Sequence, residues 1–60
     1  MMTPNELKKI DEKIQVMKRT AQELNRLGDN FPVLARNSVR ILASIKMLEI
    51  NISDLVELDS

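Results

Sequence analysis

Neither cysteine nor histidine occurs in this 60-residue chain. Their joint absence removes disulfide staples, Cys/His zinc sites and imidazole acid–base chemistry. Tryptophan and tyrosine are missing too. The one aromatic residue, Phe31, cannot by itself make a platform on which the bases of a single strand would stack. A single glycine cannot build a phosphate-cradling loop. Thr20, Ser38, Ser44, Ser53 and Ser60 have no imidazole to activate them as nucleophiles. No catalytic, cofactor-binding or metal-binding residue is assigned, and an enzyme is not expected.

Sixty residues make one short domain. A chain of this size hides only about 60% of the surface its unfolded form exposes, so a solitary core is marginal. With disulfides and Cys/His metal sites excluded, association with a second copy is the device left to support the fold.

Formal charge sums to zero, from nine basic and nine acidic residues, so no global field favours nucleic acid or anionic lipid. The charge is unevenly spread: residues 1–12 sum to −1, residues 13–46 to +5 and residues 47–60 to −4. No apolar stretch follows a basic start, so no signal peptide is expected. Arg40, Lys46 and Glu49 interrupt the most apolar segment before it reaches the length of a membrane span. A soluble cytoplasmic protein is the expectation.

What the chain does contain is helical pattern. Thr3-Pro4-Asn5-Glu6 has the spacing of a capping box, with Pro4 at the first helical position and Met2 and Leu7 placed as a hydrophobic staple. Leu7, Ile10, Ile14, Met17, Ala21 and Leu24 then alternate spacings of three and four, a heptad seam. Lys8 with Glu12 and Arg19 with Glu23 are i,i+4 pairs of opposite sign. Gly28 is expected to stop the helix in a left-handed conformation. Asp29 or Asn30 is expected to cap the next helix, which Phe31-Pro32 opens.

The second helix carries the seam Leu34, Ile41, Ile45, Leu48, Ile52 and Leu55. It also holds apolar residues beyond that seam, which predict neighbours on two sides. Its seven β-branched residues lower its intrinsic helicity, so it depends on packing. Asn37, Ser44 and Asn51 recur every seven residues beside the seam, a polar ladder of the kind that fixes register or simply edges a core. Phe31 is expected to plug the loop end against Leu27 and Leu34. Asp11 with Glu12, and Asp54 with Glu57, are expected on solvated faces rather than as acid–base pairs.

The sequence therefore predicts an all-α protein, a two-helix antiparallel hairpin that self-associates into a four-helix bundle. Helix 1 is expected over about 4–27, the turn over 28–31 and helix 2 over about 32–58. Both lengths are roughly 36–40 Å at 1.5 Å per residue. Such a pair of hairpins resembles, in architecture alone, the plasmid RNA-binding repressor-of-primer type. Leu24, Leu27 and Pro32 give a second resemblance, to the small two-helix proteins encoded near nitrogen-fixation genes. Neither resemblance carries a function or a site residue to this chain.

The expected function is a small helical oligomerisation or protein-interaction module, structural, adaptor or regulatory. Its self-association or partner interface is read at Val39, Leu42, Met47, Ile50 and Val56. The partner is a second copy, as a dimer or a tetramer, or else another helical protein. The alternative is a small RNA- or DNA-binding regulator gripping phosphates with Arg19, Arg26, Arg36 and Arg40 near the loop, where Lys18 adds a fifth cation.

Overall fold

The computed structural model is an antiparallel helical hairpin. It describes residues 2–59, with side chains as far as Val56. Helix α1 spans Pro4–Leu27, a 3-10 turn spans Gly28–Asn30 and helix α2 spans Pro32–Asp59. The pair is 44 Å long and 15 × 13 Å across.

The start of α1 follows from its capping residues. The Glu6 N–H donates to Thr3 Oγ1 at 3.2 Å, Pro4 occupies the first turn, and the Thr3 carbonyl accepts from the Leu7 N–H at 3.0 Å. Only this half of the capping box forms among the described residues; no bond returns from the Glu6 carboxylate to the Thr3 amide.

The turn departs from expectation in its mechanism. Gly28 does not adopt the left-handed conformation: its φ is −84° and its ψ 8°, angles open to any residue. The reason for glycine is space. A Cβ at this position would lie 3.1 Å from the Ala35 nitrogen and 3.4 Å from the Ala35 Cα, because α2 passes directly over it. The chain reverses through one 3-10 turn, closed by the Phe31 N–H donating to the Gly28 carbonyl at 2.8 Å. Asp29 and Asn30 lie inside that turn and do not cap α2. The cap position falls on Phe31, whose carbonyl accepts from the Ala35 N–H at 3.1 Å. Nor does Phe31 plug the loop end, since it and Leu27 are both largely exposed.

The core is a narrow line between the helices. Ile14 and Ala21 of α1 meet Ile45 of α2, with Leu42 and Ile52 packed against them. Toward the loop the line continues through small residues. Gly28 is buried, and Ser38 is fully buried with its hydroxyl donating to the Leu34 carbonyl at 2.8 Å. Small side chains occupy this line at Ala21, Gly28, Ala35 and Ser38, and at Gly28 the Ala35 backbone comes within 3.1 Å of where a Cβ would lie.

Candidate functional site

Each heptad seam is only half consumed by the hairpin. On α1, Leu7, Ile14 and Ala21 turn into the helix pair, while Ile10, Met17 and Leu24 stay exposed. On α2, Leu34, Ile45 and Ile52 turn inward, while Ile41, Leu48 and Leu55 stay exposed. Residues of a seam spaced by three and four alternate to either side of its midline. One neighbouring helix therefore covers one member of each pair and leaves the other.

The uncovered members fall on the same side of the hairpin. Seen down a common axis, residues that lead the seam midline on α1 and those that lead it on antiparallel α2 turn toward one face. An open apolar groove of about 350 Å³ lies there, lined by Met17, Arg40, Ile41, Ser44, Ile45 and Leu48. The other uncovered residues lie beyond the groove, Ile10 and Leu55 toward the open end and Leu24 toward the turn. Sequence reasoning found both seams but not which of their members a single neighbouring helix would leave uncovered. The available signal was width: a single partner covers only one flank of a full heptad seam.

The opposite edge of the helix pair is polar and closed. The Gln15 amide donates to Glu49 Oε2 at 3.0 Å, and Lys18 Nζ reaches the same oxygen at 3.3 Å. The bond from Gln15 and that from Lys18 favour the ionised carboxylate and hold the Glu49 pKa below its ordinary value. This is the one ion pair among the described residues. The expected pairs of Lys8 with Glu12 and Arg19 with Glu23 do not close.

The interface residues read from sequence divide. Leu42 is half-buried against the Ile14–Ala21–Ile45 cluster, so the hairpin already uses it. Val39, Met47, Ile50 and Val56 are exposed. At 100° per residue, Val39, Met47 and Ile50 stand well over 90° from Ile45, on the back of α2. That back is interrupted by Arg36, Lys46 and Asp54, all exposed, whereas the groove is lined mainly by Met17, Ile41, Ile45 and Leu48, with Arg40 and Ser44 beside them.

The cations are dispersed. Arg36 stands diametrically opposite Ile45 and so faces away from α1. Arg19 and Arg26, each five residues after an inward-facing residue of α1, lie on the far flank of that helix. Arg40 alone reaches the groove, and Lys18 is committed to Glu49. One hairpin therefore presents no single basic surface built from these five residues.

Among the described residues no three acidic side chains gather as metal ligands would, and no helix is long and apolar enough to cross a membrane. Asp11, Glu12 and Asp54 are exposed; the Glu57 side chain lies outside the described residues. No family model, curated protein or solved structure matches this chain.

Proposed function

We propose that this protein is a small non-enzymatic helical module that works by associating through its exposed apolar surface, first of all with copies of itself. One observation carries this reading. Among the described residues, three apolar side chains are buried, Ile14, Ala21 and Ile45, while fifteen large ones remain exposed. Fully burying one such side chain is worth roughly 1.5–3 kcal/mol. A fold stabilised by so few of them has much to gain from covering the rest. Scattered surface apolar residues are ordinary, but a continuous apolar face on a chain this short is a mark of an interaction site.

Sedimentation equilibrium from about 1 to 100 μM, with helix content followed by circular dichroism over the same range, tests the proposal. The expected outcome is a defined oligomer whose helicity falls as it is diluted, because folding and assembly are linked by mass action. A well-folded, strongly helical monomer throughout that range would refute it.

A further inference from the structure

Building on the self-association just proposed, we infer that the groove face is covered by a second copy of this chain, running antiparallel with the two turns at opposite ends of a four-helix bundle. Three independent features select this occupant and this orientation.

Size comes first. Ile10 to Leu24 on α1 and Ile41 to Leu55 on α2 each run about 21 Å at 1.5 Å per residue, along a hairpin 44 Å long. Ile10, Met17 and Leu24 on one helix and Ile41, Leu48 and Leu55 on the other would complete both heptad seams, since each needs a neighbour on its second flank. A copy of the same hairpin brings a face of the same length and spacing.

Charge chooses the orientation. Within α2, Arg36 and Arg40 occupy the half near the turn and Lys46 stands at the midpoint, while residues 47–60 carry a net −4. If the turns are at opposite ends, α2 lies antiparallel to its copy, and each basic half runs beside an acidic one. If the turns are together, the cations of both copies crowd one end and the carboxylates the other. Each exposed pair contributes little, but the summed field favours the first arrangement. Arg40, on the groove itself, is the cation best placed to reach the partner.

The edge chemistry agrees. Asn37, Ser44 and Asn51 run along the groove side of α2, and all three are exposed. Residues on a helix edge that meets its own copy across a two-fold axis must tolerate themselves. Like charges there would repel; asparagine and serine can donate and accept at once. A ladder without function in the single hairpin becomes the self-complementary rim of an α2–α2 contact.

Because the chain has no native cysteine, single labels are clean. A spin label on Asn30→Cys, at the exposed turn, measures orientation without touching the groove. Separations on the order of 40 Å, the length of the bundle, are expected. A separation below about 20 Å would overturn the antiparallel arrangement. A label on Ser44→Cys reports the face, with separations within about 20 Å, two interaxial spacings, expected for groove-to-groove packing. Values well beyond that would move the interface elsewhere. Met17→Glu and Leu48→Glu should each weaken association 100-fold or more by burying a charge; Ile50→Glu, on the back of α2, should leave it within a few-fold. The reverse ranking would overturn the assignment of the face. Should the groove variants lose helicity, the two labels still decide, since they leave the apolar face intact. A wild-type chain that never associates gives no inter-label distance at all, so failure of the underlying reading is distinct from failure of this one.

Discussion

The line where the two helices meet has two edges, and they are built to opposite ends. Along one, Gln15 and Lys18 converge on Glu49 and close the edge with hydrogen bonds and an ion pair. Along the other, Met17, Ile41 and Leu48 line an open groove with scarcely a polar group in it. Polar groups that satisfy one another gain little from a further neighbour, because desolvating them again costs as much as new partners return. Exposed isoleucine and leucine gain in proportion to the area they lose to water. The polar edge thus terminates the packing and the apolar edge invites its continuation. Under the proposed self-association, the side on which the hairpin assembles is decided by the residues just beside the core, not by the core.

Ile45 is the hinge of this comparison, because it is buried in the core and also lines the groove. Ile45→Ala removes apolar surface from the core and the groove together and should have the largest effect of any single substitution. Truncations of this kind cost about 2–5 kcal/mol, a large part of the stability of so short a chain. The expected outcome is loss of most helicity at 25 °C and micromolar concentration, measured by circular dichroism. Retained cooperative melting within a few degrees of wild type would mean that the core lies elsewhere.

Gly28 sets how closely the helices approach at the turn, and hence how narrow both edges are. Gly28→Ala gains helix propensity of up to about 1 kcal/mol. It also drives a Cβ against the Ala35 backbone, 3.1 Å away, where no flexible side chain can yield. Overpacking a tight site costs about 1–3 kcal/mol, so a net destabilisation of up to about 2 kcal/mol is expected. Gly28→Asn separates this cause from the usual one. Asparagine tolerates left-handed backbone, so it would rescue a glycine kept for its φ; here it is bulkier and should be worse than alanine. Urea midpoints of the two variants decide between the explanations.

The fold was legible in the sequence where a signal was local or periodic. Thr3 and Pro4 fixed the start of α1 because capping acts within one turn, and the seams emerged because their spacing is helical. Gly28 marked the reversal correctly, but its reason was not legible. A left-handed angle is a property of one residue, whereas crowding by Ala35 depends on where the second helix passes. Ser38 was overlooked as a core residue because it is polar. Yet it stands seven residues before Ile45 and fourteen before Ile52, and following that line back toward the turn would have placed it inside. The interface read from sequence, at Val39, Leu42, Met47, Ile50 and Val56, came from counting apolar residues on α2 alone, whereas the face proposed above needs α1 and α2 side by side and takes three residues from each.

Ser38→Ala is a smaller test, confined to the floor between the edges. The hydroxyl donates to a carbonyl of its own helix, Leu34, one turn back. Removing it orphans no donor and leaves a methyl group in an apolar line. The net worth of such a bond is about 0.5–1.5 kcal/mol, offset by easier burial of alanine and its higher helix propensity. Stability should change by less than about 1 kcal/mol in either direction. A larger loss would show that Ser38 bonds across the helix pair rather than within α2.

The smallest expected effect concerns the polar edge alone, and acid is the way to reach it. The bond from Gln15 and the bond and charge of Lys18 favour ionised Glu49, so its pKa in the folded chain lies below that of the unfolded chain. The unfolded chain then takes up this proton first as pH falls. The contribution of Glu49 is therefore fully present above the ordinary glutamate value of about 4.3 and is lost as pH drops through the lower, folded value. Glu49→Gln keeps the shape and can still accept from Gln15, but it holds no charge for Lys18. At pH 7 the variant should melt slightly below wild type, and the gap should narrow as pH falls from about 4.3 through the lower, folded value, beneath which both chains carry a neutral side chain at this position. Every other side chain is common to the two proteins, so the difference between the two curves isolates Glu49. Because Glu49 sits on the edge away from the groove, the oligomeric state at pH 7 should be unchanged. A constant gap from pH 7 to pH 3 would mean that charge plays no part in closing this edge. Dissociation of Glu49→Gln at neutral pH would mean that the assembly runs through the polar edge instead, reversing the contrast between the two.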